Sequence, residues 1–444
     1  MSSLLEHPEA QALLEDATLS PINIVGCRGR LTRFLQRYLP CFYRQEQRQL
    51  ATVVIEGRLS GLERKTCEPI ANRVGRPRKP VQHFVGCGQW DDDAVLAELR
   101  RHARETLADP NAVLVADPSA FPKKGTESCG VKRQWCGRLG KEENCQVGVF
   151  LAYAAPGGGA PVDCRLYLPK EWAADKKRRQ KCHVPKTVKF QEKWRIALDQ
   201  IDRCRADLPH GWVAADDEFG RVLAFRAGLR DRRERYVLDV PCNTLVRDLD
   251  ETPPPRQRAS GRAPKPPYRR VDEWAARQPA SSWHRLEVRP GEKGPLIVEA
   301  AEAPRVQTQD EQRHIGPVER LVVIRSREAE TKTWYTLSNA AVDVPLAEVV
   351  FAHGERHRVE ELFQQGNGEV GLDHYEVRSW EGWHHHMTLS LLALWFLVLE
   401  RRRLGEKKTG ADGGADAGDI HAAAAKPAAE SKANRGRDQP RLAA

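Results

Sequence analysis

Two short apolar runs, each closed by an aspartate, constrain this chain more than any other feature. Ala112-Val113-Leu114-Val115-Ala116 runs into Asp117, and Trp212-Val213-Ala214-Ala215 runs into Asp216. Four or five consecutive apolar residues without polar alternation fit strands buried on both faces, at the centre of a sheet covered by helices. The chain between and after them supplies the covering. Cys145 to Ala154 and Val162 to Leu168 read as two further strands between turns rich in Gly and Pro, and a turn with Pro118 and Pro122 is expected after Asp117. Phe190 to Leu208 carries a helical stripe of Trp194, Ala197, Ile201 and Cys204. A helix over Arg221 to Leu229 and a strand over Tyr236 to Val240 complete the series.

The order is therefore three strands, helix, strand, helix, strand, that of an RNase H-like α/β domain without its last helix. Upstream, LTRFLQRYL, QRQLATVVIEGRLSGL and DDDAVLAELRRHARETL space apolar residues three and four apart, and Asp91 to Asp93 place acids at the start of the last helix. A basic turn, Gly75-Arg76-Pro77-Arg78-Lys79-Pro80, interrupts this helical region. Residues 251–281 are rich in Pro and Arg and read as excluded from any core, and the strand-like segments Trp283 to Val288, Leu296 to Val298, Arg320 to Ile324 and Trp334 to Leu337 suggest a β-rich insertion. Helical texture returns from Val344 to Gln365 and from Trp380 to Arg403. Residues 405–444 hold almost no large apolar side chain and are expected to be disordered.

These readings divide the 444 residues into a helical N-terminal domain (1–108) and the first part of an RNase H-like core (109–245). A β-rich insertion (246–340), a C-terminal helical part of the core (341–404) and a tail (405–444) follow. Lys+Arg 71 against Asp+Glu 61 gives a formal net charge of +10, with 40% hydrophobic residues, the balance of a globular rather than a disordered protein. The run Met387 to Leu399 falls short of the roughly 20 residues of a membrane crossing and leads into Glu400-Arg401-Arg402-Arg403, so a buried helix is expected and no membrane span. The start, MSSLLEHPEAQALLED, lacks the basic-apolar-small order of a signal peptide, which points to the cytoplasm. The eleven Cys all lie at or before Cys242 without a C-x-x-C pair, which favours buried thiols over disulfides or structural zinc.

Asp117 and Asp216 close two central strands, where side chains of such sheets converge on ligands. An aspartate in that place also serves as a cap or turn residue. With a third acid from a nearby helix they would form a hard oxygen set for Mg²⁺, which takes carboxylates together with substrate phosphates. Arg356 and Glu360 stand four apart on one helix face, beside an apolar stripe of Val359, Leu362 and Phe363. Taken alone, that pair reads more readily as a surface ion pair, common on any helix. Lys123-Lys124 follow Asp117 closely, and Lys176-Lys177-Arg178-Arg179-Gln180-Lys181 concentrates cations suited to a phosphate backbone or to a solvated loop. Trp380, Trp383 and His384-His385-His386 read as helix-packing residues rather than as a zinc site.

A resemblance sharpens this reading. ADPSAFPKKG (116–125), GVKRQWCGRLGKEENCQVGVF (130–150), CRLYLPKEW (164–172), AADDEFG (214–220), RVEELF (358–363) and GEVGLDHYEVRSWEGWHHH (368–386) resemble insertion-sequence transposases of the DDE superfamily. The likeness is to the branch numbered seven hundred and one, allied to the IS-four clan, and it extends from about Leu31 to Arg403. It implies a catalytic, metal-binding triad of Asp117, Asp216 and Glu360, with Asp217 and Glu218 adjacent to the second position and Glu361 to the third. It further implies a DNA-binding role for the N-terminal domain, a catalytic role for the RNase H-like core, and two Mg²⁺ ions, with Mn²⁺ able to substitute; beside it, the cations Lys123, Lys124, Lys176, Lys177, Arg178, Arg179 and Arg356 are expected to contact DNA. His353 and Asn367 stand where the family carries a tyrosine and a lysine. The expected activity is cleavage of transposon ends and their joining to target DNA, by a homodimer in the end complex, in the cytoplasm and at the nucleoid when bound to DNA. The alternatives are an RNase H-like nuclease without strand transfer and a degenerate or domesticated copy that only binds DNA.

Overall fold

The two apolar runs form neighbouring parallel strands, β1 (Val113–Pro122) and β5 (Trp212–Ala215), paired from Val113 opposite Trp212 to Ala116 opposite Ala215. The structure, a computed structural model, describes residues 26–255, 264–291, 294–326 and 332–404. β6 (Tyr236–Asp239) extends the parallel set beyond β5, while β3 (Lys141–Ala155) runs antiparallel along the other edge of β1. β2 (Lys132–Cys136) and β4 (Gly158–Leu166) pair with successive stretches of β3. The result is a mixed sheet whose centre is buried on both faces: Val113, Leu114 and Val213 are fully enclosed. Each such side chain contributes roughly 1.5–3 kcal/mol by leaving water, so Leu114→Asp would be a severe lesion.

β1 does not stop at Asp117 in a proline turn. It continues to Pro122, opposite Cys145, and only its pairing with β5 ends at Ala116. Beyond that point the strand has a partner on one side alone, and there Pro118 and Pro122 forfeit no ladder bond.

Among the described residues five α-helices precede the sheet: α1 (Cys27–Tyr38), α2 (Gln45–Arg58), α3 (Cys67–Arg73), α4 (Arg78–Cys87) and α5 (Asp92–Leu107). The acids at the head of α5 work as their position predicts, Asp91 Oδ1 accepting from the amides of Asp93 and Ala94 at 3.0 and 3.3 Å. The basic turn ends at Pro77, because Arg78, Lys79 and Pro80 already form the first turn of α4, where a proline's missing N–H leaves nothing unbonded. Between β4 and β6 run α6 (Lys170–Ala174), α7 (Lys176–Lys181), α8 (Lys193–Cys204), α9 (Asp217–Gly220) and α10 (Leu223–Asp231).

The strands expected as an insertion continue the same sheet. β7 (Leu245–Asp248), β8 (Arg269–Arg270), β9 (His284–Gly291), β10 (Gly294–Gln309), β11 (Ile315–Ser326) and β12 (Thr333–Ser338) join it through β12, which pairs antiparallel with β6. The described residues thus share a twelve-stranded sheet. Alternation on β10 and β11 serves two cores: Val298, Ala300, Val322 and Ile324 face the main one, and Ala303, Leu321 and Val323 a smaller second one. The Pro/Arg-rich stretch is not wholly outside a core, as its composition suggested. Its α11 (Val271–Ala276) buries Val271 and Trp274, three residues apart, in the second cluster.

Two long helices close the fold, α12 (Leu346–Val370) and α13 (Trp380–Leu404). α13 is buried on every side from Gly382 to Val398 and packs against β4, α2, α4, α5 and α12. Among the described residues no helix is long and apolar enough to cross a membrane. The three histidines of α13 are packing residues. His384 Nδ1 lies 2.9 Å from Trp380 O, His385 Nε2 3.1 Å from Trp90 O, and His386 bridges Leu372 O and the Arg58 guanidinium, each at 2.9 Å. Seven of the eleven Cys are buried and Cys242 is exposed. The tail expected to be disordered, 405–444, lies outside the described residues.

Candidate active site

The parallel register carries one step past Ala116 and Ala215. Asp117 and Asp216 are the next residues on their strands, and on β6 the residue after Leu238, which pairs with Ala215, is Asp239. Three aspartates from three adjacent strands therefore stand at one level, at the end of the parallel set where such sheets bind ligands. Asp117 Oδ2 accepts from Ser119 Oγ at 3.2 Å. Asp216 Oδ1 accepts from the amides of Glu218 (3.1 Å) and Phe219 (3.4 Å), capping α9. Phe219 is buried, and Gly220 presses so closely on β6 that a Cβ there would lie 1.9 Å from the Asp239 carbonyl oxygen. Only glycine fits this approach, which explains the Phe219-Gly220 pair that follows the second aspartate.

α12 supplies the opposite wall. Its Val359, Leu362 and Phe363 face the core as their spacing predicts, and its polar edge carries a chain of ion pairs. His353 Nε2 lies 3.1 Å from Asp239 Oδ1, and Arg356 Nη2 lies 3.3 Å from Asp239 Oδ2 and 3.0 Å from Glu360 Oε1. Glu360 Oε2 meets His357 Nδ1 at 3.2 Å.

The charges are unevenly balanced. Burial raises the Asp117 carboxyl above its ordinary range, opposed by Arg356 and Ser119 and reinforced by Glu360 and Glu218. Burial likewise pushes Asp216 up to about 8, with Asp117, Glu218 and Asp217 adding to it against Arg356. Burial also acts on Asp239, but His353 and Arg356 outweigh it and hold that carboxyl low. Glu360 is held low first by its hydrogen bond with His357 and then by Arg356. Asp117 and Asp216 are thus the two acids short of positive charge, with hard oxygen donors suited to a divalent cation. Glu360 belongs to the same cluster, since its charge acts on Asp117, but it faces Arg356 and His357. Among the described residues no three His, Cys, Asp or Glu side chains already close around a metal position.

The neighbours of the triad positions have other partners. Asp217 pairs with Arg221 (2.8 Å), Glu218 with Lys193 (2.6 Å) and Glu361 with His357 (3.5 Å). Of the expected DNA contacts, Lys124, Lys176 and Lys177 are exposed. The others are turned to the protein. Lys123 lies over Tyr375, Arg178 stacks on Trp172 with its Cζ 3.6 Å from the ring centroid, and Arg179 donates to the carbonyls of Pro185 and Val188 at 2.9 Å. The Arg356 side chain is 18% exposed. Asp239 is the functional candidate missed in the sequence. Its signal was present, since Tyr236-Val237-Leu238 is a third apolar run closed by an aspartate.

A mixed sheet that gathers carboxylates at the ends of parallel strands is consistent with a DDE nuclease fold, and comparison with known proteins agrees. The model of the family described as DDE superfamily endonuclease matches residues 37–295, more than half of the chain. This chain belongs to that family. A stretch of 125 residues is 32% identical to a protein of Microchaete diplosiphon named "Probable transposase for insertion sequence element IS701". It covers 28% of this chain and 33% of that protein, so the match spans about a third of the relative's length. The family match includes Asp117, Asp216 and Asp239 and ends before Glu360.

Proposed function

We propose that this chain is a DNA transposase that cuts the ends of an insertion sequence and joins them to target DNA. The observation that carries the reading is the placement of Asp117 and Asp216 side by side in register, both short of positive charge, within a DDE endonuclease match. The relative's name supplies the kind of substrate.

Asp117 and Asp216 would hold divalent cations, Mg²⁺ by their donor chemistry, with Glu360 completing the set by turning from His357 and Arg356. Such cations supply Lewis-acid polarisation of the scissile phosphodiester and activation of the attacking oxygen. The protein's own contribution is placement. β1 and β5 fix the two aspartates, the α9 cap orients Asp216, and Lys193 draws Glu218 aside. Exposed Lys124, Lys176 and Lys177 offer charge to the DNA backbone. Two copies of the chain would bring two element ends together in a homodimeric complex.

The test is cleavage of DNA carrying the element's ends in the presence of Mg²⁺. Asp117→Asn and Asp216→Asn are expected to abolish cleavage while leaving end-binding nearly unchanged, and Glu360→Gln to do the same. Normal cleavage by Asp117→Asn would overturn the reading. Cleavage without joined products in a paired-end assay would reduce it to a nuclease.

A further inference from the structure

Asp239 has no place in the triad, yet it is the most enclosed of the three aspartates in the row and the one with a guanidinium and an imidazole against its carboxylate, at 3.3 and 3.1 Å. We propose that Asp239 is a positioning residue that anchors the Arg356 guanidinium, keeping this resident cation off the carboxylates of Asp117 and Asp216 so that they remain open to a divalent metal. The inference rests on the reading that those two aspartates are metal ligands.

Arg356 is permanently charged and sits among four acids. Asp239 and Glu360 touch it, and Asp117 and Asp216 act on it from slightly farther away. Its long side chain stands on α12, facing the row of aspartates across the site. A guanidinium that turned toward Asp117 and Asp216 would satisfy the same lone pairs that a metal needs and would compete with it. Two features make Asp239 a fixed anchor against that movement. Its strand is clamped on both sides, by β5 and by β12, where Thr336 pairs with Asp239 itself. Its two oxygens face different neighbours, Oδ1 lying 3.1 Å from His353 Nε2 and Oδ2 3.3 Å from Arg356 Nη2. Glu360 cannot serve as this anchor: its side chain is 50% exposed, and it would have to leave Arg356 to join a metal.

The test is Mn²⁺ binding to the DNA-free full chain, followed by titration calorimetry. Wild type is expected to bind, and Asp117→Asn to lose binding. Asp239→Asn is expected to weaken Mn²⁺ affinity about tenfold, at the low end of what supporting residues contribute to metal sites. The double variant Asp239→Asn/Arg356→Gln should then recover most of the loss, because the competing cation is gone. If Asp239 were itself a ligand, the double variant would stay as weak as Asp239→Asn. If Asp239 and Arg356 formed only a structural ion pair, Asp239→Asn would lower thermal stability with unchanged Mn²⁺ affinity. Either result overturns the proposal. Arg356→Gln alone, which leaves the strand untouched, should bind Mn²⁺ at least as tightly as wild type, and weaker binding would overturn the proposal even if Asp239→Asn failed to fold. Intact binding in Asp117→Asn would instead remove the metal-site reading, and the inference with it.

Discussion

The Lys123 ammonium lies 3.2 Å above the ring centroid of Tyr375 and donates to that residue's carbonyl oxygen at 3.1 Å. Its charge is thus spent inside the protein, tying the end of β1 to the segment that enters α13. Burial lowers its pKa to about 8, so it remains cationic at neutral pH. A desolvated cation–π contact combined with a charge-assisted hydrogen bond is worth about 2–4 kcal/mol. Lys123→Met is therefore expected to reduce unfolding free energy on that scale in denaturant titrations while leaving the salt dependence of DNA binding unchanged. Exposed Lys124→Gln should do the reverse. A flattened salt slope in Lys123→Met at unchanged stability would show that the side chain turns outward to DNA.

Asp216 sets the sign of a pH effect. Its folded-state pKa, about 8, lies far above the ordinary aspartate value, so between roughly pH 4 and 8 the folded protein holds a proton that the unfolded chain has released. The stability contributed by this group is full below pH 4 and is lost as pH rises through 8. In metal-free protein, Asp216→Asn should flatten that decline in melting temperature measured across the window. Mg²⁺ or Mn²⁺ should displace the proton, so cation binding should release protons below pH 8 and strengthen as pH rises toward 8. A melting curve set with the same pH slope in wild type and Asp216→Asn would refute the assignment.

The cations of α7 divide into two kinds. Lys176 and Lys177 are exposed, whereas Arg178 is stacked on Trp172 and bonded to Thr126 O at 2.9 Å, and Arg179 bonds carbonyls on both sides of its helix. Lys176→Gln/Lys177→Gln should flatten the slope of log affinity against log salt by up to about 1.8, at about 0.9 per phosphate contact on duplex DNA. Arg178→Gln/Arg179→Gln should instead lower stability, read in thermal melts, because it leaves carbonyls and an aromatic face without their partners. An unchanged slope in the lysine pair would make this helix a solvated surface.

The sheet's centre was legible because Val113 to Ala116 and Trp212 to Ala215 need two covered faces, a requirement that shows in the order of residues alone. The register that aligns Asp117 with Asp216 is a long-range property that no local pattern encodes, and the same limit hid Asp239. Composition misled where chemistry was mixed. Prolines in β1 read as a turn because their tolerance depends on the missing neighbour beyond Ala116, and Val271 and Trp274 were obscured by the arginines and prolines around them. Cationic runs carried the least information, since the same side chains can face a phosphate or, as Lys123 and Arg179 do, a carbonyl of their own fold.

The helical pattern expected from Val344 stops at Gln365, but α12 runs on through Gly366, Asn367 and Gly368 to Val370 and is stopped by Gly371 at φ 65°. Gly366 is closely packed: a Cβ there would lie 3.3 Å from the side chains of both Leu372 and Leu394, which would have to shift by a few tenths of an ångström. Asn367 is half-buried on the same helix, two turns beyond Glu360, and its Oδ1 is buried without a hydrogen-bond partner among the described residues. Asn367→Lys would remove that unpaired acceptor and present a charge on the Glu360 face without any extension of the helix. The single change is therefore expected to raise affinity for end DNA and to steepen its salt slope by about 0.9, one phosphate contact, in fluorescence anisotropy at two salt concentrations. Adding Gly366→Ala should bring no further gain in affinity, because the helix already passes position 367. Tighter binding only when Gly366→Ala is present would show that the helix ends before position 367, contrary to this structure. No change with Asn367→Lys alone would show that this face of α12 does not meet the DNA.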